Sequence, residues 1–558
     1  MRQEQTLKIL IMGGYGVFGG RLAELLSDVS DLELIIAGRS HMKASAFCKS
    51  YKGAATVTPL QLDRSNIEEG IQTAQPDVVV DASGPFQNYG SNPYSVITAC
   101  IKQKTNYLDF ADSADFVFGV SQFDAAAKEA NIFILSGVSS FPVLTAAVLR
   151  EIAKDMDIVT VEGGIAPSPY AGIGLNVMRA VVGYAGSQVK LTRGGKPGTA
   201  IGLAEHRRFT IAPPGEIPLR NIHFSLVDVP DLQVIPPEHE TLRDIWMGAG
   251  PVPETLHRIL NLLAKARAVF GLPSFVPLAP LFYRVLNLMK FGEHRGGMFV
   301  HVRGTKNDIE TERTWHLLAE GDDGPYIPSM AIECLVRKRL KGNIPDPGAR
   351  PATRALDLAD YQTLFAKRTI STGFRAGDEK TKPLYQQILG TAFTALPTPV
   401  QALHATREPR RWAGTACVQR GKNIFARTIA RAIGFPNSGT STPITVELVP
   451  SEKGERWTRN FGGKTFSSLQ QIGAGKNNHL LLERFGPIEV ALALTVKDNR
   501  LFLIPRRWTL FGLPMPKFLL PAGNSHEREQ NGHFYFDVEI AVPLIGLIVS
   551  YEGELRPA

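Results

Sequence analysis

LKILIMGGYGVFGGRLAELL, Leu7 to Leu26, decides how the chain begins. Leu7 to Met12 are an apolar run of strand length, and Val17, Leu22, Leu25 and Leu26 recur behind it at helical spacing. Gly14-x-Gly16-x-x-Gly19 lies between them. In the dinucleotide-binding fingerprint one such glycine makes the tight turn, one lets the backbone approach a pyrophosphate, and one permits close helix–strand packing. A bare match of this pattern is weak, so its surroundings decide.

Those surroundings alternate. LELIIAGRS gives a second strand, followed by a polar helix from His41, a strand ending at Asp63, a helix near Ile67, and the strand DVVVDASG. NYLDFAD and NIFILSG add two more strands, separated by a helix from about Phe116 to Glu129. Repeated strand–helix alternation of this kind specifies an α/β fold, here a Rossmann doubly wound parallel sheet over residues 1–140. The end of the second strand selects the nucleotide. An NAD site usually carries an acid there for the ribose 2′-hydroxyl, whereas an arginine accommodates a 2′-phosphate. Arg39 stands there, with Ser40 beside it and Lys43 one helical turn on, so the cofactor is expected to be NADP, used as NADPH.

The 558 residues exceed what one core supports, and two or three domains are expected. Cys48, Cys100, Cys334 and Cys417 are far apart with no CxxC pair, which argues against a zinc knuckle or a disulfide framework and for a reducing cytoplasm. The run Ile9–Met12 is too short, and Glu4 is misplaced, for a secretory signal. VPLAPLFYRVLNLMKF and AVPLIGLIVS fall short of the ~18 to 20 residues of a bilayer span. The net charge of +8 is uneven: from Lys380 onward 22 Lys and Arg face 13 Asp and Glu, against 39 and 40 before it. A solvated basic face is the plainer account of this excess, and an anionic partner such as phospholipid the sharper one.

With those residues in view, GGYGVFG, the AGRS turn, VVVDASGPFQNYG, TNYLDFAD and GVSSFPVLTAAVL are similar, in order, to saccharopine-dehydrogenase-like reductases, including the trans-acting enoyl reductases. GGMFVHVRGTKNDIETERTWHLLAEGDDGPYIPSMAIECLVRKRL resembles the strand–strand–helix close of that family's second domain, so the likeness runs over about residues 5–342. The resemblance implies that Gly84, Pro85 and Phe86 line the pyrophosphate and nicotinamide side and that Asp63 lies near the adenine; with Gly14, Tyr15, Gly16, Val17, Phe18 and Gly19 of the glycine loop and Arg39 and Ser40 of the second turn, these are the expected cofactor-binding residues. For catalysis the candidates are Asp112 and Tyr107, at the end of the fifth strand. The family's glycine–glutamate is replaced here by Ala111–Asp112, and a helix N-cap is an equal alternative for Asp112. His206, His223, His294, His301 and His316 show no metal-like spacing, and no metal is expected.

Residues 141–342 are expected to form an α+β substrate or dimerisation domain that walls off the nicotinamide. Within it PSFVPLAPLFYRVLNLMKF reads equally as an interfacial helix on lipid and as a buried or dimer face. NIPDPGARPATRALDLADYQ is proline-rich and aperiodic, which makes 343–379 a linker. Residues 380–558 then turn to antiparallel strands, seven of them from TPITVELVP to IGLIVSYEG. In IEVALALTV one face is bulky (Val490, Leu492, Leu494, Val496) and the other small, as a curved sheet or barrel requires, and KDNR reads as a hairpin turn. LYQQILG, RWTRNFGG, ERFGPIE and LIPRRWTLFGLPMPKFLLP resemble a bacterial domain of unknown function that recurs behind such reductases. Arg456, Trp457 and Arg459, with Arg506, Arg507 and Trp508, are two aromatic–basic clusters suited either to an anionic head group or to rim packing.

The function these readings support is an NADPH-dependent oxidoreductase acting on a small-molecule or lipid-like, lipid-linked substrate. The alternatives are a catalytically inactive NADP-binding scaffold or a lipid carrier. Homodimerisation and peripheral contact with the inner membrane are candidate associations, and no nucleic acid is expected as a partner.

Overall fold

The computed structural model describes residues 6–172, 174–377 and 381–558. Strands β1 (Leu7–Met12), β2 (Leu32–Gly38), β3 (Thr56–Gln61), β4 (Val78–Asp81), β5 (Asn106–Asp109) and β6 (Phe133–Ser136) pair in parallel in the order β6-β5-β4-β1-β2-β3. This is the Rossmann order, with its switch point between β1 and β4. Helices α1 (Val17–Leu25), α2 (His41–Ser50), α3 (Ile67–Ala74), α4 (Ser95–Lys102), α5 (Ala114–Gly119) and α6 (Asp124–Glu129) make the crossovers. Ile9, Leu10, Ile11, Leu34, Ile36, Val79 and Val80 are fully buried, as central strands covered on both faces must be.

Beyond α7 (Thr145–Ile152) the chain builds a second, mixed sheet. Its strands are β7 (Asp157–Ala166), β10 (His206–Ile211), β11 (Leu219–Leu226), β12 (Asp244–Ala249), β13 (Arg295–Lys306), β14 (Ile309–Glu320) and β16 (Ile370–Ala376), in the order β10-β11-β12-β7-β13-β14-β16. The hairpin β8 (Gln188–Arg193) and β9 (Lys196–Ile201) stands apart from it. Helix α8 (Leu175–Tyr184) precedes that hairpin, α9 (Asp231–Val234) follows β11, α10 (Glu254–Phe270) and α11 (Ala279–Leu288) sit between β12 and β13, and α12 (Ile327–Leu340) follows β14.

The segment 343–379 differs from the expected linker. Gly348–Pro351 form β15, which pairs in parallel with β6 and becomes the seventh strand of the first sheet. Helix α13 (Leu358–Phe365) and β16 follow it. The prolines that suggest a linker are compatible with this strand because it lies at the sheet edge, where a missing N–H costs no ladder bond. Arg150 donates to the carbonyls of Thr353 and Leu356, and Leu356, Leu358, Tyr361 and Phe365 are buried. The expected boundary at 379/380 lies outside the described residues. By compactness the chain divides into one unit of residues 1–207, 223–311 and 319–370, and a second of 208–222, 312–318 and 371–558.

In the second unit, helices α14 (Leu384–Leu389) and α15 (Thr398–His404) lead into an antiparallel sheet of eleven strands. These are β17 (Arg410–Arg420), β18 (Gly439–Ser451), β19 (Gly454–Phe461), β20 (Lys464–Ile472), β21 (Leu481–Phe485), β22 (Ile488–Lys497), β23 (Arg500–Leu510), β24 (Leu513–Pro514), β25 (His526–Gln530), β26 (His533–Val542) and β27 (Gly546–Pro557). Chain-order neighbours pair, β27 returns to β17, and β22 pairs with β23, so ten strands close into an up-and-down barrel with the two-residue β24 outside it. Closure removes the exposed edges an open sheet would carry. KDNR is its β22–β23 hairpin, with Asp498 and Asn499 at φ 49° and 57°, the left-handed pair of a type I′ turn. Leu492 and Val490 face inward, while Ala491 and Ala493 pack outside with Leu480. The arginine–tryptophan stretch is split by the pleat: Trp457 and Arg459 are buried within the barrel, and Arg456 is exposed.

Candidate functional site

The glycine loop owes its shape to close backbone contacts. Gly13 and Gly14 donate to the Ala37 carbonyl at 2.8 and 3.1 Å, and Gly16 donates to the Gly13 carbonyl at 2.8 Å. Gly13 lies at φ 72°, where a Cβ would meet the Ala82 carbonyl oxygen at 2.7 Å. A Cβ on Gly19 would stand 2.6 Å from the Gly13 oxygen, and one on Gly14 2.9 Å from the Ile11 oxygen. Gly16 differs: its Cβ would meet the Gly13 oxygen at 2.9 Å and otherwise project into open space. Gly16 also caps α1, with no side-chain cap bond and no acid in the first turn. A helix start of this kind presents amides and the positive end of the dipole to an anion. Val17 is exposed here, and Phe18 stacks on Phe110 at 5.7 Å.

The end of β2 lies beside this loop. Tyr15 packs on Gly38, where a Cβ would stand 2.5 Å from its ring, and its hydroxyl accepts from the Ser40 N–H at 3.2 Å. Ser40 caps α2 by accepting from the Lys43 N–H at 3.4 Å, and Arg39 is exposed at the turn. Asp63 caps the short turn after β3 and accepts from the Ser65 N–H and hydroxyl at 3.1 and 3.0 Å. Those bonds, with the nearby charges of Arg39 and Arg64, hold its carboxyl below the usual range. Arg39 and Asp63 therefore flank one end of the sheet's carboxyl edge.

The loop after β4 holds Gly84, Pro85 and Phe86. Buried Asp81 accepts from the Ser83 N–H at 3.0 Å and from Arg64 at 2.8 Å, and the Arg64 guanidinium sits 3.4 Å over the Tyr89 ring. Phe86 turns inward against Tyr89 and Phe116, at 4.8 and 5.1 Å, and is buried. The Gly84 carbonyl faces α8 and accepts from Asn176 Nδ2 at 2.7 Å. Asn176, drawn from the second sheet's domain, is a contact that no sequence motif announces.

At the end of β5 the acids separate by role. Asp109 is fully buried and clamps the backbone, accepting from the Ala111 and Gly137 N–H groups at 2.9 and 2.7 Å, and burial pushes its pKa up to about 7. Tyr107 is fully buried within the core. Asp112 is not the cap of α5, whose N-cap is Ser113. It is half-buried and accepts from Gln87 Nε2 at 3.2 Å, and burial raises its pKa. Asp228, after β11, is held up to about 6 by burial and by the charges of Asp115 and Asp112. Tyr184, at the end of α8, is raised by burial and by the charges of Asp228 and Asp112, which keeps its hydroxyl protonated. Asp112, Asp228 and Tyr184 are thus electrostatic neighbours brought together from two domains. Acids whose surroundings push their pKa values up are the groups able to move protons near neutral pH.

The histidines follow their own pattern. His206, His223 and His257 lie in series with ring centroids 5.0 Å apart, the first pair tilted and the second edge-to-face, and His223 Nε2 is bonded to Asn261 Oδ1 at 2.8 Å, while His294 pairs with Asp322 at 3.0 Å. His301 lies half-buried on β13, and His316 is buried on β14, accepting from the Ala212 N–H at 3.2 Å. Among the described residues no group of three His, Cys, Asp or Glu is placed to hold a metal, and no helix is long and apolar enough to cross a membrane.

Residues 9–135 match the saccharopine dehydrogenase NADP binding domain family, and residues 396–555 match a domain of unknown function (DUF4166). No curated protein matches the chain. Among solved structures, an amine dehydrogenase from Mycobacterium smegmatis is 11% identical at a TM-score of 0.33, over 62% of this chain and 95% of that one. The WlbA dehydrogenase from Thermus thermophilus, solved with NAD and alpha-ketoglutarate, is 11% identical at a TM-score of 0.30, over 63% and 94%. The chain is an NAD(P)-dependent oxidoreductase that joins a saccharopine-dehydrogenase-type NADP-binding domain at its N-terminal end to a DUF4166 domain at its C-terminal end.

Proposed function

We propose that the chain reduces an apolar, lipid-linked substrate with NADPH, and that Asp228 and Asp112 handle the proton that accompanies the hydride. The observation that carries this reading is the half-buried Asp112 just beyond the carboxyl end of β5, bonded to Gln87 at 3.2 Å and within electrostatic reach of Asp228 and Tyr184, on the edge where an open α/β sheet binds its ligand. Gly14, Gly16 and Gly19, with Tyr15, Val17 and Phe18, hold the pyrophosphate. Arg39 and Ser40 receive the 2′-phosphate, Asp63 borders the adenine, and Gly84 and Pro85 border the nicotinamide, while Phe86 supports that loop from beneath. The bound cofactor supplies the hydride. The chain excludes water through α8 and holds a proton on the Asp228 carboxyl.

The apolar character of the substrate is supported by α10, α11 and their flanks, where Leu262, Val269, Phe270, Leu281, Leu288 and Phe291 are each more than half exposed. An apolar surface of that extent marks a lipid or protein contact.

Two results test these roles. Asp228→Asn is expected to leave NADPH affinity unchanged and to lower turnover by about 10²-fold or more, the scale of positioned acid–base catalysis. In the unaltered protein kcat/KM should fall as pH rises through about 6, because the proton is then lost from Asp228. NADPH consumption measured across acyl-chain and isoprenoid enoyl, carbonyl and imine compounds, beside short polar ones, gives both readouts. Full activity in Asp228→Asn, or turnover confined to polar compounds, contradicts the proposal. Arg39→Asp should weaken NADPH by roughly one to two decades while sparing NADH, since a charge-assisted bond is worth ~1.5 to 3 kcal/mol. Equal losses in a titration with both cofactors would remove Arg39 from the phosphate site.

A further inference from the structure

The C-terminal barrel has an interior that its own side chains do not fill. Eight strands leave just enough room for side chains, and the diameter grows with strand number, so ten strands enclose surplus space. Here that space is a cavity of about 440 Å³. Its walls are aliphatic and aromatic: Leu492 and Leu503 of the β22–β23 hairpin, Val538 and Ile540 of β26, Trp508, and Ile429 from the helix Ile424–Ile433 between β17 and β18. Pockets of this size and lining are those that bury small apolar molecules.

Polar groups gather within the barrel and answer one another. Arg459 donates to Ser468 Oγ at 2.9 Å and to Glu483 Oε1 at 3.2 Å, and Glu483 also accepts from Gln470 Nε2 at 3.2 Å. The Tyr385 hydroxyl donates to Gln470 Oε1 at 3.0 Å, and His404 Nε2 bonds Glu527 at 2.7 Å. Arg459 is therefore already engaged by a carboxylate, and three glutamates, Glu483, Glu527 and Glu539, line the cavity with it. A further buried carboxylate would meet like charge with no spare cation, whereas a hydroxyl, ester or hydrocarbon end meets no such cost.

Exposed apolar side chains adjoin the walls. Three segments that line the cavity bear exposed apolar neighbours: Ile424 and Phe425 precede Ile429 on its helix, Leu544 precedes Ile545, and Phe518 precedes Leu519. Asn423 caps that helix by accepting from the Ala426 N–H at 2.7 Å, and it donates to the Ile545 carbonyl, joining two of the segments.

We propose that the barrel interior is a binding site for one neutral, predominantly hydrocarbon molecule of long-chain alcohol, ester or isoprenoid type, which enters past the helix Ile424–Ile433. The site discriminates against free fatty acids through its glutamates.

The test uses the full chain and the neutral probe diphenylhexatriene, whose fluorescence rises in apolar surroundings. Saturable binding of one probe per chain is expected, with hexadecanol displacing it at about tenfold lower concentration than palmitate. Leu503→Trp and Val538→Trp each place bulk in the cavity from a partly buried wall position, and each should weaken probe binding by about tenfold or more while NADPH titration and thermal midpoint hold. Should one of them misfold, the other decides, with Ile429→Asp as a third variant that places a charge on the entry helix. Absence of saturable binding to the folded chain, binding unaffected by the filled walls, or preference for palmitate overturns the proposal.

Discussion

Replacing Gly16 by valine is expected to abolish measurable NADPH binding while leaving the fold intact. The side chain at this position meets the Gly13 oxygen and then open space, so the added methyls occupy the volume in front of the α1 N-terminus rather than the core. That volume is where a pyrophosphate accepts the helix amides. Losing those charge-assisted bonds, at ~1.5 to 3 kcal/mol each, weakens the cofactor by two decades or more. Gly13, Gly14 and Gly19 give a less informative result, because a Cβ at each of them meets three atoms within 3.2 Å, whereas at Gly16 the Gly13 oxygen at 2.9 Å is the single close contact, so the turn has least to shift there. The measurement is a fluorescence titration of NADPH beside a thermal melt. A Gly16→Val chain that still binds NADPH within about tenfold of the parent would move the cofactor site elsewhere.

A chain ended at Gly342 is expected to fail to fold, although the sequence suggests a linker there. The cut removes β15, which donates from Gly348 N to the Ile132 carbonyl at 2.9 Å and from Ala349 N to Asp124 Oδ1 at 3.0 Å. It also removes Leu356, Leu358, Tyr361 and Phe365, all buried, and the acceptors of Arg150. Four large side chains at ~1.5 to 3 kcal/mol each amount to about 6 to 12 kcal/mol, which equals the whole net stability of an ordinary domain. Soluble expression and a cooperative melt check this. A truncate at Gly342 that melts like the intact N-terminal unit would show β15 to be dispensable.

What could be read in the sequence follows from where the information lies. The six strands of the first sheet and their doubly wound parallel arrangement were legible because each strand–helix step is local and right-handed crossovers allow few topologies. β15 was not, because its partner β6 is distant in sequence and nothing in GARP marks it as a strand. In the barrel, seven strands alternate visibly. β17, β20 and β25 do not, since RRWAGTACVQR carries small residues and His526 and Glu527 of HEREQ are buried as polar groups. The glycine loop and Arg39 carry their chemistry in fixed spacing. Asp228, Tyr184 and Asn176 have none and reach Asp112 and Gly84 only through the packing of the second domain. Phe86 carries a feature the motif does not announce: its side chain completes an aromatic core with Tyr89 and Phe116.

The most direct test is a crystal structure of the chain grown with NADPH. The account predicts the pyrophosphate on the amides that begin α1, the 2′-phosphate within hydrogen-bond reach of Arg39, and the nicotinamide ring facing Asp112 and Asp228 beneath α8. A nicotinamide turned away from both carboxylates, or a pyrophosphate bound anywhere but the Gly14–Gly19 loop, would contradict it.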